Sequence, residues 1–120
     1  MTRGDDIEER LIDFAVRVIG VYEALPGTVV GRHMGGQLLR SGTSPAPNYG
    51  EARAAESGKD FVHKLKVVLK ELNESRIWLK MIIRAEILPG KRLVDLLDEC
   101  DQLCRIISAS IQTSRKSMHH

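Results

Sequence analysis

Aromatic side chains are scarce in this chain: two Phe, two Tyr and one Trp among 120 residues. A row of aromatics on which bases could stack is therefore lacking, which argues against sequence-specific reading of single strands. Cysteine is rarer still. Cys100 and Cys104 stand four apart, whereas a disulfide framework or a zinc site has further cysteines or nearby histidines. They read as buried apolar thiols, since a free Cys behaves as a small hydrophobe. No apolar run approaches the roughly 18 to 20 residues of a membrane span. The opening MTRGDDIEER also lacks the apolar region of a signal peptide, so a cytoplasmic protein without membrane contact is expected. Gly31, Gly35 and Gly36 form neither GxGxxG nor GxxxxGK[ST], which removes the usual phosphate cradles. They read instead as points of close approach between helix backbones.

Ile, Leu and Val supply most of the apolar load, 42% of residues are hydrophobic and 28% are charged. These are ordinary globular values, and the length suits one domain with one core. Ile7, Leu11, Phe14, Val18, Tyr22 and Leu25 alternate spacings of four and three, the stripe of a helix over about 5–25 that Asp5 or Asp6 could cap. Pro26-Gly27 ends it, and Thr28 can cap a second helix over 28–56. Pro45 and Pro47 break that helix at 43–47, with Ser44 and Ala46 extended or in a turn and the helix resuming by Asn48. Ser57 to Asp60 form the next turn and cap, and Phe61, Leu65, Val68, Leu72, Ser75, Leu79 and Ile82 mark a helix over 59–86. Pro89-Gly90 punctuates again before a last helix over 91–113, with 114–120 as a tail. The expected fold is all-α, an antiparallel up-down-up-down four-helix bundle with a proline kink in its second helix. His119 and His120 resemble the remnant of a purification tag and carry no functional argument.

The stretch RSGTSPAPNYGEA, Arg40 to Ala52, is followed by Ser57, Phe61, Lys64-Leu65, Glu71, Glu74 and Trp78-Leu79. In these residues the chain resembles the four-helix-bundle proteins named for open reading frames in intervening sequences of 23S ribosomal RNA genes, whose fold is shared by diversity-generating retroelement accessory proteins. Arg40, Ser44, Asn48, Tyr49 and Glu51 match the family pattern around the kink, while Pro47 replaces a usually small residue. The resemblance implies a homopentameric barrel with a basic surface, for which nucleic-acid binding has been proposed, and no enzymatic chemistry. Through the accessory relatives it also implies a reverse transcriptase and its RNA as partners.

Residues 1–25 hold three basic and six acidic side chains, net −3, whereas 59–84 hold seven basic and three acidic, net +4. Lys59, Lys66, Lys70, Arg76, Lys80 and Arg84 are therefore candidates for phosphate contact. Arg40, Asn48, Tyr49, Glu71 and Glu74 form a second polar set, read as a structural network around the kink, with a ligand site as the alternative. No metal or cofactor is expected, because a di-iron bundle needs two Glu-x-x-His motifs and only Asp60-x-x-His63 approximates half of one. The first and third helices each carry a second apolar flank, Ile12, Val16 and Ile19 against Val62, Leu69 and Ile83. One small bundle has no use for both, so an oligomer is expected. Two functions remain open: a non-enzymatic binder of DNA or RNA, or an adaptor that holds a protein partner.

Overall fold

Thr2, rather than Asp5 or Asp6, caps the first helix. Its hydroxyl accepts from the Asp5 N–H and the Asp5 carboxylate accepts from the Thr2 N–H, both at 3.1 Å, so two orphan donors are satisfied reciprocally. These hydrogen bonds, with that from Arg53, hold the Asp5 carboxyl below the usual carboxylate range. The computed structural model describes residues 2–118; His119 and His120 lie outside the described residues. Five helical segments follow in order: α1 (Arg3–Ala24), α2 (Val29–Thr43), α3 (Pro45–Arg53), α4 (Gly58–Arg84) and α5 (Gly90–Met118). With α2 and α3 taken as one bent rod, they form an antiparallel four-helix bundle 52 Å long. Among the described residues there is no strand.

The bend is tighter than the sequence pattern indicates. Ser44 is helical at φ −75° and ψ −37°, and the Asn48 N–H reaches its carbonyl at 3.2 Å. Ala46 is helical as well. The prolines remove two donors from the ladder, but Pro45 occupies the first position of α3, where a missing N–H costs little. Burial of Pro45, Tyr49 and Ala52 outweighs the local bias against helix before a proline. The last helix also departs from the pattern: it continues through Met118 rather than stopping at 113. Nothing in 114–118 breaks a helix, and Arg115 and Lys116 suit the negative end of its dipole.

Caps and turns set the other ends. Thr28 accepts from the Gly31 N–H at 3.0 Å. Ser57 caps α4 by accepting from the Asp60 N–H at 3.1 Å, which leaves the Asp60 side chain in the first turn. At the far end of α4, Glu86 N–H donates to Ile83 O and Ile87 N–H to Ile82 O, while Glu86 sits at φ 55°. This is a Schellman turn with a glutamate where glycine is favoured. Glu86→Gly should raise the unfolding free energy by about 0.5–1 kcal/mol, the left-handed penalty less the greater freedom of glycine in the unfolded chain. A lowered midpoint on thermal unfolding would contradict this.

One apolar core runs the length of the bundle, with Leu11, Phe14, Val18, Leu38, Leu65, Leu72, Leu79, Leu96 and Ile107 fully buried. Helices α1 and α2 approach closely along glycines. A Cβ on Gly42 would lie 2.7 Å from a Val18 methyl, and one on Gly35 would lie 2.8 Å from Leu25. Gly36 makes no such approach, since a Cβ there would meet open space.

Candidate nucleic-acid interface

Helix α4 packs against α2, α3 and α5, so its inner stripe is covered on three sides. Its outer ridge reads Lys59, His63, Lys66, Lys70, Asn73, Ile77, Lys80 and Arg84 at alternating spacings of four and three. That spacing keeps these positions on one line about 37 Å long. All are exposed except Lys80, which is half-buried. None is acidic. Among the described residues no carboxylate lies within ion-pair distance of Lys59, Lys66, Lys70, Lys80 or Arg84. Arg76 falls off the line and faces Asp101 of α5 at 3.9 Å. Lys64 likewise leans on Glu51, at 3.6 Å. The basic residues of α4 thus divide into an unpaired ridge and two side chains, Lys64 and Arg76, engaged elsewhere.

The second polar set separates into distinct places. Arg40 of α2 bridges Glu71, at 3.2 Å, and Glu74 of α4. Glu74 also accepts from the Trp78 indole N–H at 3.1 Å, and His33 meets the Trp78 ring edge-on with centroids 5.9 Å apart. Gln37 accepts from Arg40 at 3.4 Å. Asn48 is not part of this cluster: its side-chain amide donates to Ser44 O and Oγ, both at 2.9 Å. Tyr49 is buried elsewhere in α3, and burial pushes its phenol pKa upward. The sequence reading did not place His33, Gln37 and Trp78 in this set, although 33, 37 and 40 and then 71, 74 and 78 have helical spacing. Directly beneath, the buried Ser75 hydroxyl donates to Ser41 Oγ at 2.8 Å. This cluster clamps α2 to α4, with every carboxylate already engaged by a donor.

The thiols have unequal surroundings. Cys100 is fully buried and donates to Leu72 O at 3.3 Å, and the neighbouring Cys104 and burial raise its pKa. Cys104 is only partly buried, and the neighbouring Cys100 lowers its pKa. Among the described residues no group of three His, Cys, Asp or Glu side chains could hold a metal ion, and no helix is long and apolar enough to cross a membrane. An apolar hollow of about 510 Å³ lies at one end of the bundle between Val21, Ala24, Leu88, Pro89 and Leu93, with Lys91 and Arg92 among its polar lining.

The second apolar flanks also part company. Val62 is buried, and Leu69 and Ile83 pack on the core, because α4 has neighbours on three sides. Ile12, Val16 and Ile19 of α1 stay 41%, 59% and 40% exposed, since α1 packs chiefly on α2 and α3 and only sparsely on α5.

Comparison with known proteins follows the same lines. A family model described as 23S rRNA-intervening sequence protein matches residues 6–109. A solved structure of a protein with unknown function, from the S23 ribosomal protein family of Bacteroides thetaiotaomicron, is 30% identical with a TM-score of 0.83. The alignment covers 92% of this chain and 99% of that one. No curated protein matches.

Proposed function

Since the chain belongs to the 23S rRNA-intervening sequence protein family, we propose that it is a non-enzymatic, oligomeric protein that binds nucleic acid through the outer ridge of α4. One observation carries this reading: that ridge bears four lysines and an arginine with no acid on the line and no ion-pair partner among the described residues. Lysines in such a row neutralise phosphates and release counterions, and an oligomer repeats the row in every subunit. No Phe, Tyr or Trp lies on the ridge, so the contact is with the backbone and is indifferent to base sequence. A catalytic role has less support, because the conspicuous carboxylates are held by Arg40 and Trp78 and the more enclosed thiol is buried in the core. A reverse transcriptase as protein partner rests on family resemblance alone.

The test is fluorescence anisotropy with unrelated DNA and RNA duplexes at about 50 mM salt, where surface electrostatics are least screened. Both should bind. Lys59→Glu with Lys66→Glu should weaken both alike and reduce the slope of log affinity against log salt by about 2, near 0.9 for each phosphate that is no longer neutralised. Helix content should be unchanged, since exposed substitutions shift stability by about 0.5 kcal/mol or less. If the unmodified protein retains neither duplex, the reading fails and the adaptor role replaces it.

A further inference from the structure

The hollow at the end of the bundle draws its walls from three places: Val21 and Ala24 of α1, Leu88 and Pro89 of the α4–α5 turn, and Leu93 of α5. Its volume of about 510 Å³ falls in the range of small-molecule sites, roughly 300–1,000 Å³. No aromatic side chain lines it. A flat ring finds nothing to stack on there, whereas an aliphatic chain meets methyls and methylenes throughout.

Three charged side chains complete the lining, Lys91, Arg92 and Asp95. Among the described residues none of the three has an ion-pair partner. Lys91 and Arg92 occupy the first turn of α5, which holds no acidic residue. The helix dipole is positive at that end and disfavours cations, an imbalance that a bound anion relieves. Arg92 is also laid against the backbone of α1: a Cβ on Gly20 would lie 2.7 Å from its Nη2. The guanidinium thus takes space that a side chain at position 20 would fill, and from there it flanks the hollow.

We infer that this hollow binds a soluble aliphatic monocarboxylate, its chain among Val21, Ala24, Leu88 and Leu93 and its carboxylate between Lys91 and Arg92. Two basic side chains against one acid select an anion over a cation. Asp95 repels a second negative charge and so selects a monoanion over a dicarboxylate. Ammonium and guanidinium donors make charge-assisted hydrogen bonds to the carboxylate, while the apolar walls and the chain leave water together. The hollow shares no residue with the phosphate ridge and lies beyond the opposite end of α4 from Lys59.

NMR titration of the isotope-labelled chain with decanoate, kept below its micellar concentration, tests the inference. Amide shifts should move and saturate at Ala24, Leu88 and Lys91 to Leu93. Decanol and decyltrimethylammonium should bind at least about tenfold more weakly, as expected for losing a hydrogen bond to a charged group. Decanedioate should also bind more weakly than decanoate. Lys91→Ala with Arg92→Ala should remove the preference for decanoate over decanol, because only the walls remain. Ala24→Phe keeps the charges but fills the hollow, and should abolish decanoate binding. All three positions are exposed, so helix content should match that of the parent chain. Decanol or decanedioate bound as tightly as decanoate overturns the inference. So does decanoate binding left unchanged in either variant, or no saturable shift at these amides in the unmodified chain.

Discussion

Leu72→Ala is expected to lower the unfolding free energy by about 2–5 kcal/mol, the lost transfer energy of the side chain plus the cavity left behind. Leu72 is fully buried at the middle of α4, and its carbonyl accepts from the Cys100 thiol of α5 at 3.3 Å. The site joins α4 to α5 at a point where rigid helices on several sides oppose collapse into the void. Against a total of about 5–15 kcal/mol for a domain, this is a large fraction. Urea titration should show a lower midpoint with an unchanged slope, since the surface exposed on unfolding hardly differs. A loss below about 1 kcal/mol would mean that the core at this level is not closely packed.

Gly42→Val is expected to cost about 1–3 kcal/mol through overpacking, despite the better helix propensity of valine. A Cβ at this position would sit 2.7 and 2.8 Å from the two methyls of Val18. Both residues are buried in the α1–α2 seam, so neither can swing into solvent. Val18→Ala alone leaves a cavity. Combined with Gly42→Val it should cost less than the sum of the single changes, with a coupling of about 0.5–3 kcal/mol as for residues in contact. Strict additivity in a double-mutant cycle by thermal or urea unfolding would show that the two side chains do not compete for the same space.

These two sites differ in how far the sequence announced them. Leu72 lies on an unbroken four-three stripe from Phe61 to Ile82, and such periodicity alone directs it inward. Gly42 belongs to the stretch around the kink, and nothing local identifies the Val18 side chain as its neighbour. The same contrast applies at the candidate interface. The basic excess of 59–84 is visible in composition, but Arg76 and Lys59 look alike there. Only the position of Asp101 on α5 separates the engaged guanidinium from the free ammonium. Likewise, Glu71 and Glu74 read as edge residues of α4, whereas their capture by Arg40 depends on how α2 lies against α4.

Helix number, order and inner faces follow from local physics: spacings of three and four, prolines that lack a donor, and hydroxyl or glycine residues at the ends. Each of these acts within a few residues of chain and is legible there. The exact cap was not, because Thr2 and Asp5 act together, each accepting from the other's N–H, and that reciprocal pair starts the helix earlier than a lone carboxylate at Asp5 or Asp6 would. The geometry at Ser44 was not either, because burial of Pro45 and Tyr49 overrides a modest backbone bias. Ile12, Val16 and Ile19 and Val62, Leu69 and Ile83 are equivalent as patterns. Packing separates them: α4 has three neighbours to cover its flank, whereas α1, which meets α5 only sparsely, leaves its own in water, where burial depends on the arrangement of helices rather than on the sequence of any one.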